Sequence, residues 1–296
     1  MANSLKSIKV PLYRLLGRLI RDDGQFLKIK YRLKVGKKLN LVHPKGYNEK
    51  LQWLKIHDHR ELYSTMVDKY AAKEYVAGII GNEYIIPTLG VWDCFDDINF
   101  DMLPNQFVLK CTHDSGGLVI CRDKKNLNLE EARIKINRSL KMNFYLEGRE
   151  YPYKNVHPRI IAEEFMVDES EKELKDYKFF CFNGQPRFLF VAKGRLEHDT
   201  RFNFYDMDWN LLPFERGYPN TDSNTIIPKP KGFEEMVELS KKLSTGIPHV
   251  RVDLYDINGR IYFGELTLYP GSGFEAFHPD EWDEKVGDML SLDGII

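Results

Sequence analysis

The chain has 296 residues, 43% of them hydrophobic and 29% charged, which is ordinary for a globular protein and enough for one large core or two to three lobes. Its net charge of −1 excludes a general polyanion binder, so no nucleic-acid partner is expected. No apolar run approaches the roughly 18 residues that a membrane-spanning helix needs, and the N-terminus lacks the continuous apolar stretch and small-residue cleavage site of a secretory leader.

The near-neutral total hides a division. Residues 1–55 hold ten Lys and four Arg against three acids, whereas the remainder has 29 bases and 41 acids. A basic arm is joined to an acidic body. Cys94, Cys111, Cys121 and Cys181 form no CxxC pair and have no His at ligand spacing. Three lie in apolar runs, as free core cysteines do, which fits a reducing cytoplasm.

Residues 3–21 place Leu5, Ile8, Leu12, Leu15, Leu16, Leu19 and Ile20 at helical spacing among Lys and Arg. Such a helix either lies on an anionic membrane surface, giving a peripheral contact at the inner face of the plasma membrane, or packs on the body with its basic face in water. Residues 26–40 continue basic and helical. After the turn at Pro44 and Gly46, Asn48 is the expected cap of a helix carrying Leu51, Trp53, Leu54 and Ile56. A second helix is expected over 60–79, which would put Lys69 and Lys73, four apart, on one face.

A short strand is expected at 84–86, ending at Pro87. A buried strand follows at 107–111, sequence FVLKC, and there Lys110 needs a partner because an unpaired buried ammonium is costly. It leads into Thr112-His113-Asp114-Ser115-Gly116-Gly117 and a further strand at 118–121. A small Gly-rich loop between strands can lie over phosphates, although it has neither the Walker spacing nor a helix after it. A helix over 129–143 is followed by a strand ending in Glu163 and Glu164. Strands at 177–183 and 187–193 turn at Asn183-Gly184, and another strand spans 202–207. Residues 213–232 read as a long loop and 232–245 as a helix.

The last part is a hairpin over 250–273. Asp253 lies on its first strand and Glu265 on its second, each between apolar neighbours. Two carboxylates brought together repel unless a cation separates them, and an oxygen-only ligand set with room for phosphate suits Mg²⁺. The alternative at this point is two solvated strand carboxylates.

Taken together, this order of parts resembles the ATP-grasp superfamily and, within it, the TupA-like branch associated with bacterial surface polysaccharide synthesis. The stretches that carry the resemblance are YNEKLQWLKIHD (47–58), DKYAAKEYV (68–76), FVLKCTHDSGG (107–117), IIAEEF (160–165), DYKFFCFNG (176–184) and HVRVDLYDINGRIYFGELTLYPGSG (249–273). The resemblance implies an α+β fold in which two lobes hold ATP between antiparallel sheets. The expected division is a basic helical extension at 1–65, a small lobe with the phosphate loop at 66–159, and a hinge and large lobe with the metal site at 160–296. It also implies ATP and Mg²⁺ as cofactors, and a carboxylate substrate activated as an acyl phosphate for attack by an amine.

Carried over by residue, Lys110 resembles the strand lysine on the nucleotide phosphates, with Lys69 or Lys73 as an earlier basic contact. Asp114, Ser115, Gly116 and Gly117 resemble the mobile phosphate loop. Glu163, Glu164 and Phe165 resemble the hinge beside adenine. Lys178, Arg201 and Asn203 resemble residues near the transferred phosphoryl group. Asp253 and Glu265 match the metal carboxylates. Thr267 stands where many members place a ligating Asn, and its hydroxyl is a weaker ligand. His113 and His278 are the histidines available as a base. Two competing readings are a glycosyltransferase using Asp206-Met207-Asp208 as a metal motif, and a non-catalytic ATP-binding module.

Overall fold

The structure is a computed structural model and describes residues 13, 15–168, 174–194, 199–221 and 227–295. Most of the expected helix over 3–21 lies outside the described residues, as do parts of the 168–176 and 213–232 loops; residues 15–19 are helical. No helix among the described residues is long and apolar enough to cross a membrane.

Helix α1 (Asp23–Val35) begins where Asp22 Oδ1 accepts the Gln25 amide at 2.7 Å, and it ends at Gly36, whose φ of 81° suits a residue without a Cβ. Helix α2 (Tyr47–His57) starts at Gly46. Asn48 is therefore not its cap: it is buried in the first turn, and its side-chain amide donates to the Glu275 carbonyl at 2.8 Å. Glu49 does the capping, accepting the Lys45 and Gly46 amides at 3.0 and 3.4 Å.

The expected helix over 60–79 is two helices, α3 (Leu62–Val67) and α4 (Ala71–Ile80). Asp68 breaks it, because its Oδ1 accepts the Tyr70 and Ala71 amides at 2.9 and 3.2 Å and starts a new helix there. Lys69 sits in the break, and its amide donates to the Thr112 carbonyl at 3.0 Å. Lys69 and Lys73 consequently do not share a helical face.

The strand expected at 84–86 is displaced. Residues Asn82–Tyr84 form a 3-10 turn, and β1 (Thr88–Trp92) begins after Pro87, whose carbonyl accepts the Glu164 amide at 3.1 Å. With β2 (Phe107–Cys111), β3 (Leu118–Cys121) and β4 (Ile160–Glu164), it forms an antiparallel sheet in the order β1-β4-β2-β3. Between β3 and β4 come α5 (Leu129–Leu140) and α6 (Tyr145–Gly148). Helix α5 buries Ala132 and Ile136 in the same small core as Phe107, Leu109, Ile160 and Ala162.

A larger antiparallel sheet follows, from β5 (Lys175–Phe182), β6 (Gln185–Lys193), β7 (Arg201–Asp206), β9 (His249–Ile257) and β10 (Arg260–Thr267), in the order β10-β9-β5-β6-β7. The β5–β6 turn holds Asn183 at φ 49° and Gly184 at φ 79°, the left-handed pair that a two-residue hairpin requires. The short β8 (Glu215–Arg216) pairs with β11 (Phe277–His278). Helix α7 (Phe233–Ser244) covers the large sheet with Phe233, Met236, Leu239 and Leu243, and α8 (Trp282–Gly287) contacts α2. Phe179, Phe180, Phe182, Phe188 and Phe204 are fully buried, and each contributes about 1.5–3 kcal/mol by burial.

The cores do not follow the expected divisions. Tyr47, Leu51, Tyr63, Met66, Ala72 and Val76 all belong to the large-sheet core, so a boundary at 65/66 would cut through it. A boundary at 159/160 would separate β4 from the small sheet that it pairs into. Residues 47–80 are contiguous in sequence with the small sheet but bury their apolar faces against the large one.

Candidate active site

One row of residues crosses the large sheet. Glu265 pairs with Asp253, Asp253 with Lys178, Lys178 with Phe190, and Phe190 with Phe204. Directly opposed residues share a face, so all five present their side chains on one side. All of this row but Asp253 lines a cavity of about 450 Å³, whose other wall comes from Lys69, Lys110, Asp114, Ser115, Gly117 and Glu163 around the small sheet.

A bulge aims Glu265. Phe263 pairs with Leu254 and Glu265 with Asp253, leaving Gly264 as the extra residue. Strict alternation would put Phe263 and Glu265 on the same face. The bulge instead sends Phe263 into the core and Glu265 into the cleft. A Cβ on Gly264 would lie 3.0 Å from the Asp253 carbonyl oxygen, which explains the glycine.

Two cations neutralise these carboxylates. Arg251 grips Asp253 in a fork, with Nε to Oδ1 at 2.6 Å and Nη2 to Oδ2 at 2.7 Å. The same Nη2 donates to Glu265 Oε1 at 2.9 Å and Thr267 Oγ1 at 3.0 Å. Lys178 bridges Asp253 and Asp176, the latter at 2.7 Å. Burial raises the Asp253 pKa even against Arg251 and Lys178. Glu265, which reaches the cleft, is held down at about 2 by Lys178 and Arg251. Arg251 and Asp176 were not singled out in the sequence. The signal was present in Arg-x-Asp and Asp-x-Lys, since strand residues two apart share a face.

On the opposite wall, Glu163 is an anchor for two lysines. Its Oε2 pairs with Lys110 and its Oε1 with Lys73 at 2.5 Å, so the strand lysine has the partner that burial demanded. Burial opposes ionisation of Glu163, but Lys110 and then Lys73 hold its pKa below the usual value. Lys110 lines the cavity. Lys73 does not: it is tied to the Ile86 carbonyl at 2.7 Å and Thr88 Oγ1 at 3.0 Å, and it serves by orienting Glu163. Glu164 is exposed on the other face of β4, and Phe165 packs under Arg122, so neither lines this cavity.

Within the Gly-rich loop, Asp114 points inward. Its carboxylate accepts the Gly117 amide at 3.0 and 3.1 Å and the Ser139 hydroxyl, bracing the loop. Lys69 Nζ donates to the Asp114 carbonyl and stays in the cavity wall. Gly117 is required by space, because a Cβ would lie 2.5 Å from Ser139 Oγ and 2.6 Å from Cys111 Sγ.

Several expected residues lie elsewhere. Arg201 and Asn203 alternate with Phe202 and Phe204 on β7, and only the phenylalanines line the cavity. Arg201 binds Asp199 at 3.0 Å, and Asn203 is closed in a pair of bonds with Thr221 at 2.7 and 2.8 Å. The geometry does not bring either to the cavity, because the one-residue pleat turns them away. The Thr267 hydroxyl accepts from Arg251 and lies 3.2 Å from Glu265 Oε1, which makes it an orienting group for that carboxylate. His113 is buried on the Met142 carbonyl at 3.2 Å, with its pKa lowered by burial, and it does not line the cavity; exposed His278 does not line it either. Asp206 folds a turn, accepting the Asp208 and Asn210 amides at 3.0 and 2.8 Å, so the acidic triplet 206–208 is a structural device.

Among the described residues, no group of three or more His, Cys, Asp or Glu is gathered as a metal cage. Asp253 and Glu265 nevertheless put hard oxygens on one face; the Glu265 side chain is 43% exposed, whereas Asp253 is 1% exposed and would have to release Arg251 or Lys178 to take a metal. That set fits a cation that keeps waters and takes further oxygens from phosphate, as Mg²⁺ does. Lys69, Lys110, Lys178, Arg216 and Arg251 line the same cavity among the carboxylates of Asp114, Glu163, Asp176, Glu265 and Glu275, and cations grouped in this way can answer the charge of a polyphosphate.

The sequence profile of the TupA-like ATPgrasp family matches residues 49–291. The chain belongs to that family. The TupA-like ATP-grasp chain has low-level likenesses among solved structures. The D-alanine–D-alanine ligase of Helicobacter pylori has 16% identity and a TM-score of 0.42, over 83% of this chain and 69% of that one. The Bacillus anthracis D-alanine–D-alanine ligase complexed with ATP has 14% identity and a TM-score of 0.42, over 91% and 72%. The ATP-grasp ligase PsnB, complexed with minimal precursor, Mg and ADP, has 11% identity and a TM-score of 0.38, over 74% and 57%. No curated protein matches the chain.

Proposed function

We propose that this TupA-like ATP-grasp protein is an ATP- and Mg²⁺-dependent carboxylate–amine ligase working through an acyl phosphate. Its product would be an amide between an amino acid or amino sugar and a carboxylated sugar or peptide, made for bacterial surface polysaccharide on the cytoplasmic side. The observation that carries this reading is the row Glu265–Asp253–Lys178, with Arg251 beside it, facing Lys110 and the Gly loop across one cavity.

The roles follow from charge and position. Lys110, steadied by Glu163, and Lys69 bind phosphate oxygens at the small-sheet wall. Backbone amides of the loop close over them and exclude water, which would otherwise consume an acyl phosphate. Asp253 and Glu265 would hold Mg²⁺, which supplies neutralisation of the charge shared by phosphates and carboxylate. Lys178 and Arg251 lie where that charge concentrates and orient the substrate carboxylate for in-line transfer. The exposed Leu15 and Leu19, with the basic residues around them, support a peripheral contact of the N-terminal arm with an anionic membrane surface.

The test is mass spectrometry of products after ATP is supplied with pools of carboxylated sugars and amines. ADP release that requires both a carboxylate and an amine, with a product at their summed mass less water, is expected. Full ADP release by Glu265→Ala would overturn the metal assignment. Stabilisation by UDP-sugar and none by Mg-ATP would overturn the ligase reading.

A further inference from the structure

We propose that helix α2 positions one wall of the cleft from behind: Asn48, Gln52 and Lys55 lock residues 271–275, and so fix Gly271 and Glu275 where they line the cavity. The effect on turnover rests on the ligase reading above; the hold on the segment does not.

Residues 47–58 bring no side chain of their own to the cavity. Asn48, Gln52 and Lys55 are spaced by four and three, which puts them on one face of the helix. That face is dry: the three residues are 1%, 0% and 2% exposed. Buried polar groups are tolerated when their bonds are made, and here the bonds converge on one stretch of backbone. Asn48 Nδ2 donates to the Glu275 carbonyl at 2.8 Å. Gln52 Nε2 donates to the Ser272 and Gly273 carbonyls at 3.0 and 2.7 Å. Lys55 Nζ reaches the Ser272 carbonyl at 2.8 Å and the Ser272 hydroxyl at 3.0 Å. It also meets the Gly148 carbonyl at 2.8 Å and Gln52 Oε1 at 3.0 Å, and buried Glu150 supplies the opposite charge.

The segment needs holding. Gly271, Ser272 and Gly273 follow one another at φ 59°, 53° and 62°. Glycine takes this left-handed form freely, whereas a serine takes it at a cost. Ser272 is the residue on which Gln52 and Lys55 converge. Gly273 approaches α2 so closely that a Cβ would lie 2.4 Å from Gln52 Nε2. The other side of the segment is cavity wall. Gly271 and Glu275 both line it, and a Cβ on Gly271 would lie 2.3 Å from the Glu275 carboxyl carbon, so the two are packed as one unit. Arg216 ties the ends together, with Nη2 on the Pro270 carbonyl at 2.8 Å and Nη1 on Glu275 Oε2 at 3.0 Å.

The groups proposed above to grip phosphate are held by other partners. Lys110 is on Glu163 and Lys69 on the Asp114 carbonyl, and neither bonds to the α2 stripe. Loosening the segment therefore leaves nucleotide binding in place and displaces the wall against which the substrates react. A displacement of about 1 Å can cost about 10²-fold in rate.

Gln52→Met keeps the length of the side chain and removes its donor. In the full chain, the Ser272 and Phe274 amides donate to the Tyr269 and Gly271 carbonyls at 2.7 and 3.1 Å. Hydrogen–deuterium exchange over residues 268–277 is expected to speed up at least about tenfold in the variant. Mg-ATP affinity, measured by titration, is expected to stay within about twofold, while kcat for ADP release with the carboxylate and amine pools falls at least about tenfold. General weakening of the fold would lower affinity and rate together. Unchanged exchange overturns the proposal whatever the rate does. Faster exchange with unchanged kcat, or with Mg-ATP affinity lost in parallel, overturns it too. If Gln52→Met does not fold, Asn48→Ala, which removes one donor to Glu275, is judged by the same readings. A wild-type chain that releases no ADP from any pool removes the ligase reading; faster exchange in the variant with nucleotide affinity kept then still supports α2 as the holder of this wall.

Discussion

Lys110 and Glu163 form the clearest single pair in the molecule. Lys110, proposed above to bind phosphate, is held in place by a carboxylate that Lys73 also neutralises. Lys110→Met is expected to weaken Mg-ATP binding by at least about tenfold, since one charge-assisted contact is lost, with little change in fold because Lys73 still pairs Glu163. Titration with Mg-ATP against thermal denaturation separates the two effects. His249 gives a second residue-scale expectation. It is buried between the Tyr47 hydroxyl at 2.8 Å and the Cys181 carbonyl at 2.9 Å, and burial lowers its pKa to about 3. The unfolded chain takes up a proton below its ordinary value of 6.5 and the folded chain does not. Stability is therefore full above pH 6.5 and falls by up to about 1.4 kcal/mol per pH unit on the way to pH 3. Denaturant unfolding at a series of pH values should show this slope, and His249→Gln should flatten it.

At the scale of elements, two glycines shape the site. Gly264 makes the bulge that turns Glu265 into the cleft, and Gly117 lets the Gly-rich loop pack on Ser139 and Cys111. Gly117→Ala is expected to destabilise the fold by about 1–3 kcal/mol through overpacking, and to lower Mg-ATP affinity by opening the loop. Thermal denaturation with and without Mg-ATP measures both; an unchanged Tm would contradict the close approach. Much at this scale was legible. The strands over 107–111 and 118–121, the Asn183-Gly184 hairpin and the 250–273 hairpin follow from alternation and turn residues. The helix over 60–79 was misread because Asp68 competes locally for the Tyr70 and Ala71 amides, which a 3.6-residue periodicity does not register. The strand at 84–86 was misplaced because β1 is defined by pairing with β4, more than 60 residues away in the register Thr88–Glu163.

Across the whole molecule, the basic arm is tied to the acidic body through Arg149. Its Nη2 donates to the Gly17 and Ile20 carbonyls at 2.6 Å each, and its Nε pairs with Asp23 at 3.1 Å. Exposed Ile29 and Leu33, one turn apart on α1, flank exposed Arg32. If this arm meets an anionic bilayer, Arg18→Glu with Arg32→Glu should reduce flotation with phosphatidylserine vesicles while leaving flotation with neutral vesicles at background. Equal recovery of both proteins would remove the membrane contact.

The sequence by itself determined the strands over 107–111 and 118–121, the Gly-rich loop, the two hairpins and the family, because each rests on local patterns in the chain. Only the tertiary structure decided which cation answers which carboxylate. Arg251 reaches Asp253 and Glu265, Glu163 takes Lys73 and Lys110, and Arg201 and Asn203 turn away. The physical reason is that a buried charge is stabilised by whatever long-range register places beside it. In a pleated sheet, one residue of slip or one bulge moves a side chain to the opposite face.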